Sequence, residues 1–216
     1  EQGLDTLPIG AAMSRIGLSF VGTAYVPGTL EVPGPERLVI NFRGLDCVTF
    51  VENVFAISRF MRVPGAEALL QDRKATEGVY GSMLGEHRYR DGEVNGYASR
   101  LHYFSDWIGE NHRRGLVQNI TGELEGIVDY ERIDFMSTHP EAYAQLADPE
   151  NILLIRTTEE RLSAVGRVYI PEDQIDLVAK EIQDGDIIAA TSSVAGLDIA
   201  HTGLALWIDE TLHLLH

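Results

Sequence analysis

A single cysteine in 216 residues excludes an internal disulfide framework and any zinc site built from several thiolates. Basic residues are scarce: 17 Lys and Arg stand against 33 Asp and Glu, a formal net charge of −16. Such a surface repels phosphate backbones and anionic lipid, so nucleic acid is a poor candidate partner. No apolar run approaches the roughly 18 residues that a membrane span needs. Repeats and low-complexity tracts are missing. The opening "EQGLDTLPIG" has neither an initiator Met nor a charged-then-apolar leader, as expected of a processed or trimmed chain. What remains is ordinary globular material, 44% hydrophobic and 23% charged, enough for one domain with a sizeable core.

Apolar residues Ile9, Met13, Ile16 and Phe20 recur at helical spacing and predict a helix between Leu7 and Val21. Proline and glycine crowd the segment from Pro27 to Pro35, marking a loop. "RLVINF" at 37–42 reads as a short extended segment. Val48, Val51, Val54, Phe55 and Ile57 predict an amphipathic helix that starts at Asp46 or Cys47 and runs to about Phe60. The middle of the chain is polar and mixed, with a turn at Asp91-Gly92, a helix ending near Gly115, a short helix after Pro140, a strand at Val168–Ile170 and a helix start near Pro171. From Gly185 the pattern becomes β, as "DIIAAT", "IAHTGLALWI" and "TLHLLH", the last two joined at Asp209-Glu210. A sheet ending on its third strand leaves an apolar edge, so the natural product is expected to continue past His216.

Cys47 has two readings. A free cysteine is commonly a small buried hydrophobe. At a helix N-terminus, however, backbone N–H groups and the helix dipole stabilise negative charge, which suits an attacking sulfur. Of the seven histidines, His201 opens a central strand. Its strand places residues 201, 203 and 205 on one face. Folding the hairpin about Asp209-Glu210 pairs Gly203 with His216 and Leu206 with His213. His216 then shares a face with His201 and is the better group to orient it, and a bulge would reverse that parity. The two histidines of "HLLH" point to opposite faces of a strand, so metal binding is the weakest reading of these residues.

The segments "GTAYVPGTLEVPG", "GLDCVTF" and "GDIIAAT…AHTGLALWIDETLHLLH" resemble, in order, the NlpC/P60 pattern of papain-like enzymes. With "SRLHYFSDWI", "DFMSTHP" and "YIP" they resemble its DUF1460 group of N-acetylmuramoyl-L-alanine amidase-like proteins, from about Ile9 to His216. The resemblance implies an α+β fold: a nucleophile at a helix N-terminus packed on an antiparallel sheet, with a mainly helical insertion. Residues 1–216 form one domain on this reading, its core about 7–62 and 165–216, with an insertion of about 63–164 lining the substrate pocket. Cys47 corresponds to the family nucleophile, His201 to its base and His216 to its third polar residue. Tyr25 matches the tyrosine that shapes the site, and Asp46 the acidic position beside the nucleophile. Val48-Thr49 replaces the usual Ser-Gly of the broad family, a departure the DUF1460 group shares.

The resemblance implies hydrolysis, without metal or cofactor, of the amide between N-acetylmuramic acid and L-alanine in peptidoglycan fragments carrying a 1,6-anhydro end. It places the protein outside the cytoplasm. In the insertion, Ser99 and Arg100 are candidates to bind carboxylate or hydroxyl groups, and His102, Tyr103 and Trp107 to pack on a sugar face. The alternative there is a buried aromatic helix face with Arg100 paired to an acid. Asp106 reads equally as a surface charge, and His139 as a neighbour of a helix cap. Two other functions fit parts of the pattern. One is a stem-peptide endopeptidase or acyltransferase using the same acyl-enzyme. The other is a non-catalytic binding module, against which the intact Cys47, His201 and His216 set argues.

Overall fold

The structure, a computed structural model, describes residues 3–216. Helix α1 (Ile9–Leu18) buries Ala12, Met13 and Ile16 at the 3- and 4-residue spacing of one helix face. Two glycines let it approach its neighbours closely. A Cβ at Gly10 would lie 2.5 Å from the Asp184 carbonyl oxygen, and one at Gly17 would lie 3.0 Å from both Leu204 and Leu215 and 3.3 Å from Phe50. Strands β1 (Ala24–Tyr25) and β2 (Gly44–Leu45) pair in parallel, Ala24 with Gly44 and Tyr25 with Leu45. This short ladder draws the chain back after a loop of 18 residues (26–43), so Tyr25 lies beside the residues that lead into the next helix.

That helix, α2 (Cys47–Phe60), begins where the capping chemistry requires. Asp46 is its N-cap: Oδ1 accepts from the Thr49 backbone N–H at 2.8 Å, and the Asp46 N–H donates to Thr49 Oγ1 at 2.9 Å. This reciprocal pair satisfies two otherwise orphan donors and is worth about 1 kcal/mol. Val51, Val54 and Phe55 of α2 are buried in the main apolar cluster with Met13, Ile16, Trp107 and Leu204. Removing each large side chain from water stabilises by roughly 1.5–3 kcal/mol.

The extended segment expected at 37–42 forms no strand. The carbonyl of Val39 is instead taken by Arg88 Nη1 at 2.6 Å, so a side chain supplies the partner a ladder would have given. Helices α3 (Ala66–Leu69), α4 (Arg73–Arg88) and α5 (Phe104–Arg113) follow. Strand β3 (Ile127–Asp129) and helix α6 (Phe135–Thr138) lead to α7 (Pro149–Val165). Strand β4 (Arg167–Tyr169) pairs antiparallel with β3. The short helix expected after Pro140 lies before it, as α6, and 3-10 turns follow at 140–142 and 144–147. After Pro171 come a 3-10 turn and the single-turn helix α8 (Ile175–Val178). A second apolar cluster, with Tyr97, Tyr103, Ile133, Met136, Leu146 and Ile155, holds this middle region together.

The C-terminal sheet is antiparallel in the order β5 (Ile187–Thr191), β6 (Ile199–Ile208), β7 (Thr211–Leu215). The β6–β7 register pairs Leu206 with His213 and Leu204 with Leu215, as the hairpin geometry predicts, and runs without interruption. The one register shift lies between β5 and β6, at Ala190/Thr191. Both α1 and α2 pack against β6. No helix among the described residues is long and apolar enough to cross a membrane.

Candidate active site

Cys47 is the first residue of α2, half-buried and free of any disulfide. Tyr25 is brought alongside Leu45 by the β1–β2 pair, which sets its hydroxyl near Cys47. The Tyr25 phenol is pushed above its ordinary range, first by burial of the hydroxyl, then by the charge of Cys47 and a hydrogen bond to it, and then by Asp46.

His201 is the third residue of β6, after Ile199 and Ala200, and is half-buried. Its Nε2 lies 2.8 Å from Nδ1 of His216, and the two rings meet edge to face with centroids 4.4 Å apart. The carbon-free face of Gly203 permits this. A Cβ there would lie 2.5 Å from the Leu215 carbonyl oxygen and 2.9 Å from a Leu214 methyl, so any larger residue would push the end of β7, and His216 with it, off β6. Because Nε2 of His201 is engaged, Nδ1 is the ring nitrogen left to exchange a proton. Burial, and then the charge of His216, hold the His201 imidazole below its ordinary value, which favours the neutral base.

A cavity of about 170 Å³ adjoins these groups. It is lined by Tyr25, Asp46 and His216 with apolar walls from Phe20, Phe50 and Leu215. Neither Cys47 nor His201 lines it directly, and every lining residue comes from positions 17–50 or 215–216.

The residues expected to wall a sugar pocket lie elsewhere. Trp107 is fully buried in the main cluster, stacked on Phe104 and edge-on to Phe55. Tyr103 is buried in the second cluster, and its hydroxyl donates to Glu159 Oε1 at 2.6 Å and accepts from the Met136 N–H. Neither ring has a face free for a ligand, because α5 turns its apolar side inward. The guanidinium of Arg100 is buried between Glu31 at 2.5 Å and Glu36 at 3.3 Å and lies over the Tyr97 ring. His102 packs on Tyr97 with Nε2 2.9 Å from its carbonyl oxygen, and burial holds that imidazole well below its ordinary value. The Ser99 hydroxyl is spent within its own turn, donating to Gly96 O and accepting from Asn95 N–H. Asp106 is buried and paired with Arg90 and Arg161, and His139 stacks on Phe135.

The sequence pattern had no signal for the apolar cavity wall, since Phe20, Phe50 and Leu215 converge from three separate elements. Asp198, buried just ahead of β6, lay within the segment that carries the resemblance but was given no role by it.

The fold is that of an amidase-like hydrolase. The chain belongs to the N-acetylmuramoyl-L-alanine amidase-like (AmiA-like) family, whose pattern matches residues 15–216. A crystal structure of an N-acetylmuramoyl-L-alanine amidase from Bacteroides uniformis is 38% identical, with a TM-score of 0.85, over 96% of this chain and 84% of that one. A Bacteroides fragilis protein carrying a provisional xylanase name is 40% identical, with a TM-score of 0.82, over 94% and 85%. A Legionella pneumophila protein of the DUF1460 family shares the fold at 22% identity and a TM-score of 0.65, over 98% and 78%. No curated protein matches the chain.

Proposed function

We propose that this protein is a cysteine amidase with an NlpC/P60-type core. On this reading it hydrolyses the bond between N-acetylmuramic acid, in its 1,6-anhydro form, and L-alanine in peptidoglycan fragments outside the cytoplasm. The observation that carries the reading is the His201 Nε2 to His216 Nδ1 contact of 2.8 Å. It fixes one imidazole nitrogen and leaves the other for a thiol, as a nucleophile–base–orienter set requires.

The chemistry follows from those positions. His201 Nδ1 takes the Cys47 proton as the sulfur attacks the lactyl carbonyl carbon of the muramic acid. The oxyanion forms against the Cys47 backbone N–H, with the Tyr25 hydroxyl beside it as the second donor; each such donor is worth about 3 kcal/mol. The C–N bond breaks as His201 returns the proton to the departing L-alanine nitrogen. Water, deprotonated by His201, then cleaves the thioester and frees the sugar acid. In the insertion over 63–164, Arg100 contributes by bracing the 26–43 loop through Glu31 and Glu36, and this loop joins Tyr25 to the helix bearing Cys47.

Glycoside hydrolysis, which the Bacteroides fragilis name suggests for that protein, needs two carboxyl groups across the scissile bond. The cavity offers one, Asp46, whose Oδ1 already serves Thr49.

Digestion of defined muropeptides followed by mass spectrometry tests the proposal. The wild-type protein releases a peptide with a free L-alanine amine and an intact anhydro-sugar, and Cys47→Ala releases none while unfolding at the same temperature. Full activity in Cys47→Ala would end the cysteine reading. Cleavage inside the stem peptide would replace the amidase with an endopeptidase.

A further inference from the structure

The site's two halves come from separate elements, Cys47 from α2 and His201 from β6, and something must hold them in register. Asp198 is 1% exposed, one residue before β6 and three before His201. Its Oδ2 accepts from both the backbone N–H of Ser105 at 2.9 Å and the Ser105 hydroxyl at 2.6 Å. Ser105 belongs to the first turn of α5, so Asp198 closes two donors at that helix end from another part of the chain. The Asp198 carbonyl oxygen accepts from Arg167 Nη1 at 2.6 Å and from the Ser192 N–H at 3.1 Å. Farther round the same loop, the Gly196 carbonyl accepts from the N–H groups of Asp134 and Phe135, each at 3.0 Å. A Cβ at Gly196 would lie 3.1 Å from the Phe135 nitrogen. The 192–198 loop is thereby clamped to α5, to β4 and to the start of α6.

Helix α5 in turn meets the thiol-bearing helix. Trp107 packs edge-on against Phe55 of α2, with centroids 6.4 Å apart, and Asn111 Nδ2 donates to the His87 carbonyl at 2.9 Å, while His87 Nε2 lies 3.1 Å from the Glu52 carbonyl of α2. A continuous path of packed and hydrogen-bonded groups therefore joins the entry of β6 to α2.

We infer that Asp198 is a positioning residue for the amide hydrolysis, holding the His201 strand in register with the Cys47 helix through Ser105 and α5. It touches no substrate. This rests on the cysteine-amidase reading above. A misplacement of about 1 Å between reacting groups costs on the order of 10²-fold in rate, so a register held by one buried carboxylate appears in kcat rather than KM.

The test compares Asp198→Ala, Asp198→Asn and Ser105→Ala, each assayed on an anhydro-muropeptide and each melted in parallel. Asp198→Ala should lower kcat by about 10- to 100-fold at unchanged KM. Asp198→Asn, which keeps an oxygen for the Ser105 donors, should restore most of the rate. Ser105→Ala, which loses only the hydroxyl bond, should fall between them and keeps the question answerable if Asp198→Ala does not fold. Wild-type kcat in folded Asp198→Ala, or a kcat loss that Asp198→Asn does not relieve, overturns the inference. Cys47→Ala is run alongside: its activity would remove the underlying reading, whereas an inactive Cys47→Ala beside a fully active Asp198→Ala removes only the positioning role.

Discussion

His201 and His216, fifteen residues apart in sequence, meet ring to ring through Nε2 and Nδ1 at 2.8 Å. One proton serves that contact, since a hydrogen bond between two imidazole nitrogens needs one donor and one acceptor. Protonating both rings breaks it, which is why the charge of His216 adds to burial in keeping His201 below its ordinary value.

Replacing His216 therefore has a signed consequence. In His216→Ala the like charge is gone, and the His201 imidazole should titrate closer to the ordinary value of about 6.5. The fold favours neutral His201, so this group's contribution to stability is present above about pH 6.5 and is lost as pH falls through the lowered folded value. The variant should lose part of that acid dependence. On the proposed cysteine-amidase reading, loss of this partner should also cost on the order of 10² to 10⁴ in kcat. NMR titration of the ring and pH-dependent urea unfolding check the first effect, and single-turnover assays the second. An unchanged titration midpoint would refute the electrostatic account.

Beneath the site, Glu52 of α2 and Arg88 of α4 form a buried pair, Oε2 to Nε at 2.7 Å, each side chain 2% exposed. Burial holds the Glu52 carboxyl above its ordinary value, although the Arg88 charge and hydrogen bond pull it back. Removing one partner strands the other charge, so Glu52→Ala should destabilise by about 3–5 kcal/mol. The paired exchange Glu52→Leu with Arg88→Met should recover most of that, although Arg88 also holds the Val39 carbonyl. Urea denaturation of the three variants decides it, and equal losses in single and double variants would count against the stranded-charge explanation.

At the β6–β7 turn, Asp209 and Glu210 both have positive φ, 46° and 64°. This conformation suits a two-residue hairpin turn but costs a non-glycine residue about 1 kcal/mol or more. Glu210 has no side-chain chemistry that eases it, whereas Asp tolerates it better. Glu210→Gly should therefore stabilise the protein by about 1 kcal/mol, read as a higher Tm with the activity unchanged. A lower Tm would mean that the turn is held by contacts of the Glu210 side chain.

Much of this architecture was legible in the chain. Cys47 opens α2 because Asp46 and Thr49 make a local capping pair, and local chemistry can be read without a fold. The meeting of His201 with His216 followed from period-two alternation and a two-residue turn, both properties of adjacent segments. The AmiA-like membership was carried by short motifs in a fixed order. Where the reading failed, the deciding partner was distant. Arg88 took the Val39 carbonyl and denied 37–42 a ladder. Trp107 and Tyr103 were offered to a ligand, yet α5 buried them on Phe55 and Glu159, residues supplied by other helices.

The sequence by itself determined which groups carry charge, where helices and hairpins begin, and which face of β6 bears the imidazole, since each depends on neighbours a few residues away. Only the tertiary structure decided which aromatic rings face inward, which carboxylates lose their water, and how Asp198 comes to sit on Ser105. Those outcomes depend on long-range packing, where a side chain's environment is set by residues that share no local pattern with it.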